Sequence, residues 1–248
     1  YNAYSYYKEF MPDIDPNSIE SINSIKTKYP NFRQESKTKT FLLTYGGSYM
    51  GLMTNEGLDE ETAKRIERGY HTSYAESDKW VADKVEQAKT DGYVTGAFGL
   101  RLRTPLLSKC VIGTNKKMPY GAASEKRTAG NMLGQSYGML NTRAANEFME
   151  RVWKSKYKYD IFLSCQVHDS IYLMFRNQLP IVDWVNRNLI DCMKWCELDE
   201  LKHPIVKLGA EFGVFFPNWN HECTLPNNAT KETIKELANA HQKNMQSM

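Results

Sequence analysis

Two periods of polar and apolar positions run along this chain of 248 residues. A helical period dominates the first part. It predicts a helix from Asp15 or Ser18 to Lys28, one from Asn31 up to Gly46, one opening at Gly57 with Asp59 near its acidic start, and one over 77–89, where Trp80, Val81 and Val85 give an apolar face. Within 31–47, Arg33, Lys37, Phe41 and Tyr45 recur at every fourth position, followed by Gly46 and Gly47. Residues four apart are neighbours on a helix, so these side chains form one stripe, cations first and rings after. Asn31 is expected to cap this helix, with Gln34 as a weak capping box and Pro30 just outside. Gly46 suits the left-handed residue that ends it. Period two follows at 92–105, as short strands around Gly96 and Gly99 in which Arg101 and Arg103 share one face. A long helix is expected over 123–154. Two apolar, β-prone runs at 160–175 flank His168-Asp169, which predicts a hairpin with a carboxylate at its tip. An amphipathic helix over 179–201, with Pro180 near its start, a returning strand over 204–214, and a polar or fraying helix over 230–246 complete an α+β chain.

Composition adds little to this. Hydrophobic content of 41% and charged content of 25% are those of a globular protein. The length allows one large domain or two lobes. Five cysteines without a C-x-x-C pair and five histidines without zinc spacing fit a reducing, cytoplasmic setting, with Cys192 and Cys196 as buried thiols. No apolar run approaches a membrane span and no signal peptide is visible, so no membrane partner is expected. The chain opens on Tyr1 and not on Met, so an upstream portion is expected. Charge matters more locally. The net charge is only +3, yet between Arg101 and Arg127 seven basic residues (Arg101, Arg103, Lys109, Lys116, Lys117, Lys126, Arg127) stand against Glu125 alone. That excess fits contact with a phosphate backbone, or an ordinary solvated surface.

The candidate chemistry begins at the stripe. Arg33 and Lys37 oppose the dipole at the start of their helix and cost stability unless an anion sits there. The rings beyond suit a sugar or base. Together they can hold a nucleotide lengthwise; the same spacing also suits a surface helix whose cations are merely solvated. Arg127, Asn131 and Gln135 repeat the four-residue spacing. Their amides can meet the minor-groove acceptors that every base pair presents, testing pairing geometry without reading sequence. Asp13 and Asp15 are metal-ligand candidates, although turn and cap duty suits them better.

Three blocks, Arg33-x3-Lys37-x3-Phe41-x3-Tyr45-Gly46, then Arg127-x3-Asn131-x3-Gln135, then Gln166-Val167-His168-Asp169, resemble in order the motifs of the family A DNA polymerases over roughly residues 31–219. The chain departs from the family where Ser136-Tyr137 replaces Gly-Thr and where Ser170 replaces a Glu. The resemblance implies an incomplete right-hand polymerase fold: fingers over 1–92, the C-terminal part of the palm over 93–222, and a tail over 223–248. It implies that Arg33 and Lys37 hold the triphosphate of a dNTP, and that Phe41, Tyr45 and Gly46 shape the base-pair pocket. Arg101, Arg103, Arg127, Asn131, Gln135, Gln166 and His168 contact the primer–template. The resemblance also implies that Asp169 is one carboxylate ligand in a site of two Mg²⁺ ions whose other ligands come from outside this chain, with His168 and Lys37 beside the reaction. The second catalytic Asp and the thumb are not found, so an N-terminal segment or a second chain is expected to supply them. The source is expected to be a phage or virus. Ser170 also keeps open a relative of the single-subunit RNA polymerases, and a non-catalytic nucleic-acid-binding remnant is the third reading.

Overall fold

The structure is a computed structural model that describes residues 1–109 and 119–246, the side chain of Gln246 excepted. The chain forms two compact units, Tyr1–Tyr137 and Gly138–Met248. Helices dominate, with short antiparallel two-stranded sheets between them, so the α+β class holds.

The first unit opens with α1 (Asn2–Tyr7), α2 (Ile19–Lys28) and α3 (Pro30–Thr44). Ser18 caps α2, its hydroxyl accepting from the Ser21 amide. Ile22 and Ile25, one face of α2, pack with Ala3, Met11 and Ile14. α3 starts one residue earlier than expected. Pro30 is its first residue and Asn31 makes no cap, because proline's fixed φ and missing N–H suit the first helical position. Gly46 then turns left-handed at φ 76°. α4 (Tyr49–Glu56), α5 (Glu60–Ser73) and α6 (Ala75–Asp91) follow. Asp59 caps α5 through the Thr62 amide at 2.9 Å, and Gly92 closes α6 at φ 74°. Leu43, Leu52, Ala63, Ile66 and Tyr70 make the core between α3, α4 and α5.

Strands β1 (Tyr93–Thr95) and β2 (Arg101–Arg103) pair antiparallel, Val94 opposite Leu102. Lys116 and Lys117 lie outside the described residues. The expected helix over 123–154 is two helices, α7 (Tyr120–Gln135) and α8 (Met139–Lys154). The break falls where Ser136 is buried. Its hydroxyl donates to the Leu133 carbonyl at 2.9 Å and accepts from the Ala97 amide at 2.8 Å, so it serves the turn and not a longer helix.

The second unit is built on α8, α9 (Leu179–Met193) and the hairpin of β3 (Ile161–Val167) and β4 (Ser170–Phe175). Ala144, Phe148 and Val152 of α8 and Ile181, Val185 and Leu189 of α9 form its core with Ile161. α9 stops at Met193, short of the expected Leu201. The strand expected over 204–214 does not join the hairpin. Residues 204–211 form no strand and leave Ile205 and Val206 exposed, while β5 (Phe212–Phe215) pairs with β6 (Glu222–Leu225) as a separate sheet. The two pairs meet by packing in the same core, as with Phe175 on Phe212 at 6.4 Å. The tail is ordered helix: α10 (Lys231–Gln246) buries Ile234 and packs Leu237 on the same core. Cys192 is buried and Cys196 half-buried, both free.

Candidate functional site

In the first unit, α3 carries two kinds of cation. Lys39 is buried, 3.3 Å from Glu35 and 3.8 Å from Glu56, and lies over the Tyr7 ring. The Tyr7 hydroxyl, donating to Glu35 at 2.7 Å, helps hold that carboxyl below its usual range. Lys39 is thus a neutralised structural cation. Arg33 and Lys37 lie on another face, and among the described residues no carboxylate stands within ion-pair distance of either.

Both line an open groove of about 610 Å³ with Lys26, Phe41, Thr40 and Tyr74. Among the described residues, no acidic side chain lines it. Thr40 is fixed by Asn2 and Tyr6, whose side chains approach its hydroxyl at 3.2 and 3.1 Å, and Asn2 also donates to the Tyr74 hydroxyl at 2.9 Å. Unpaired cations on a fixed wall are what a polyphosphate needs, since no carboxylate competes for them. Phe41 and Tyr45 are exposed and stack at 6.5 Å, an apolar face one turn further along. Lys26 is the residue the sequence pattern missed. It belongs to no motif, and only the fold of α2 against α3 brings it to the groove.

The end of α3 meets α7. Asn131 Nδ2 donates to the Tyr45 carbonyl at 3.1 Å. A Cβ on Gly46 would sit 3.2 Å from Arg127 Cγ and 3.5 Å from Asn131 Oδ1. Gly46 is therefore favoured by its positive φ, and a side chain there would also crowd Arg127 of α7. Arg33, Lys37, Phe41, Tyr45, Gly46, Arg127 and Asn131 thus belong to one connected surface. Gln135, exposed, is the last residue of α7. Arg101 and Arg103 are exposed on β2, with Arg101 over the Tyr93 ring at 4.6 Å. Glu125, the single acid of the basic run, accepts from the Leu107 amide at 2.6 Å.

In the second unit, His168 and Asp169 form the two-residue turn between β3 and β4, both exposed. His168 takes φ 52°, a left-handed conformation that a tight hairpin turn requires and that His adopts more readily than most residues. Asn141 holds this turn. Its Nδ2 donates to the His168 carbonyl at 3.2 Å and approaches the Ser170 carbonyl at 3.4 Å, while its buried Oδ1 has no partner among the described residues. Thr142 donates to Gln166 Oε1 at 3.2 Å. The sequence carried a signal for Asn141. It is a polar residue inside the buried stripe that continues through Ala144, Ala145, Phe148 and Val152.

Among the described residues, no group of three or more His, Cys, Asp or Glu could hold a metal ion. Asp13 accepts from Lys28 and Tyr29, and Asp15 from the Asn17 amide, so both serve local structure. Asp169 is exposed and, among the described residues, in no ion pair, so its carboxylate is open to serve as one hard-oxygen ligand of a divalent cation that takes its other ligands elsewhere.

A family model described as DNA polymerase family A matches residues 16–220. The thermostable DNA polymerase I of Thermus filiformis is 27% identical over 144 residues, which cover 58% of this chain and 16% of that protein. The solved POL domain of Pol1 from M. smegmatis, in complex with DNA primer–template and dNTP, superposes with a TM-score of 0.59 at 18% identity, over 84% of this chain and 31% of that one. The likeness in structure is one of fold. The chain spans less than a third of the length of either relative.

Proposed function

Since the chain belongs to DNA polymerase family A, we propose that it is the fingers and the C-terminal half of the palm of a template-directed DNA polymerase of phage or viral type. The reaction is transfer of a deoxynucleotide from a dNTP to a primer 3′-OH. One observation supports this above the others. The two unpaired cations Arg33 and Lys37 line an acid-free groove beside the stacked Phe41 and Tyr45, and the same helix ends on Asn131.

In this reading the guanidinium of Arg33 and the ammonium of Lys37 bind the triphosphate, in charge-assisted bonds worth about 1.5–3 kcal/mol each. Phe41 packs on the sugar and base, and Tyr45 beside the templating base. Because the Tyr45 carbonyl and Asn131 are bonded, a helix that grips the nucleotide is tied to one whose amides test the pair it forms. Arg101, Arg103, Arg127, Gln135, Gln166 and His168 contact primer–template. Asp169 supplies one carboxylate to Mg²⁺, whose chemistry when bound is to offset negative charge on the attacking and leaving oxygens. The second catalytic Asp and the thumb come from an upstream segment or a second chain, and the complete enzyme works in the host cytoplasm.

The test is primer extension by the complete enzyme. Lys37→Ala should raise the dNTP concentration needed by about tenfold or more with little change in DNA affinity. Asp169→Ala should abolish extension while DNA still binds. Full activity in Asp169→Ala would end the assignment, and preference for rNTP over dNTP in competition would move the chain towards RNA synthesis.

A further inference from the structure

The groove has a third cation. Lys26 lies on α2, across the corner at Tyr29 from α3, and lines the groove with Arg33 and Lys37. Its neighbour Lys28 is held by Asp13 at 2.8 Å. Among the described residues no carboxylate stands within that reach of Lys26, which is exposed. The groove therefore has basic groups on two walls.

The position of Lys26 along the groove follows from helix geometry. Lys26 is two residues from the end of α2, and Arg33 three residues from the start of α3. Both sit at the corner. Phe41 is eleven residues beyond Pro30, about 16 Å along α3 at 1.5 Å per residue. A nucleotide with its base at Phe41 and its phosphates towards Arg33 thus meets Lys26 at its phosphate end, level with Arg33 on the other wall. The α3 cations would then face the phosphates from one wall, and Lys26 their end from the other.

We infer that Lys26 is the residue that recognises the terminal phosphate and so selects a nucleoside triphosphate over a diphosphate. This rests on the nucleotide reading of the groove. The competing role, a cation that stabilises the C-terminal turn of α2 through the helix dipole, predicts a different result. A dipole role would alter helix stability and leave nucleotide preference untouched.

The experiment is titration of these 248 residues with dATP and with dADP by calorimetry. Three variants are compared with the parent: Lys26→Ala, Lys26→Arg and Lys37→Ala. Lys26→Ala should weaken dATP about tenfold and dADP less than twofold, collapsing the preference for triphosphate. Lys26→Arg should keep the preference, since it keeps the charge. Lys37→Ala should weaken both ligands. If Lys37→Ala weakens binding but Lys26→Ala leaves the ratio of the two affinities unchanged, the inference falls and the nucleotide reading stands. If neither substitution changes either affinity, both fall.

Discussion

At the scale of the residue, the lesson of α3 is that identical side chains two positions apart do different work. Lys37 and Lys39 are both lysines of one helix, yet Lys39 is buried against Glu35 and Glu56 while Lys37 is exposed in the groove. Lys39→Met should remove the cation and leave Glu56, itself only 22% exposed, without a counter-charge. The expected cost is about 1–3 kcal/mol of stability in urea denaturation, with dATP affinity unchanged. Loss of nucleotide binding without loss of stability would reverse the two assignments. Gly46→Ala tests the other end of the helix. A left-handed alanine costs about 1–2 kcal/mol, and its Cβ would press on Arg127. The variant should be destabilised by at least that amount, and dATP affinity should fall less than it does in Lys37→Ala. The four-residue stripe was legible in the sequence because it depends on helical spacing alone. The difference between Lys37 and Lys39 was not, because Glu56 reaches Lys39 only after α4 folds back on α3.

At the scale of the element, the hairpin of β3 and β4 was legible in outline. Two β-prone runs around a two-residue turn leave few other structures. What holds the turn was hidden, since Asn141 sits 27 residues before His168 in the chain. The break between α7 and α8 was hidden for the same kind of reason. Ser136 reads as a helical residue until Ala97, 39 residues away, offers its amide. Pro30 differs in the opposite direction: the capping pattern puts it outside the helix, while its backbone preference puts it in the first turn. The clamp at the hairpin makes a prediction. Asn141→Ala should leave the His168 carbonyl without its side-chain donor and free the left-handed turn to relax, costing about 1–3 kcal/mol. Hydrogen exchange should rise at 166–171 in particular. In the complete enzyme, extension should slow and need more Mg²⁺, because the turn presents Asp169, the proposed metal ligand. A uniform rise in exchange across the second unit, with unchanged Mg²⁺ dependence, would reduce Asn141 to a packing residue.

At the scale of the whole molecule, the balance of charge says less than its pairing. The net charge of +3 is modest. In the second unit Arg143, Arg151, Arg176 and Arg187 are each in an ion pair with a carboxylate, and so add little to any external field. The described cations of the 101–127 run differ. Arg101, Arg103, Lys109, Lys126 and Arg127 have no such pairing among the described residues, and Glu125 bonds to a backbone amide instead. An unpaired cation carries condensed counterions off a phosphate backbone when it binds, and each such contact adds about 0.9 to the slope of log affinity against log salt. Removing both Arg101 and Arg103, as the double Gln variant, should therefore lower the slope for duplex DNA by about 1.8 if both touch phosphate. Arg176→Gln, which breaks only the pair with Asp160, should leave the slope alone. The comparison is made by fluorescence anisotropy across a salt series on the same primer–template. Equal slopes in the parent and the double variant would mean that the β2 arginines face solvent in the bound state, and that the basic run reaches DNA through its other cations.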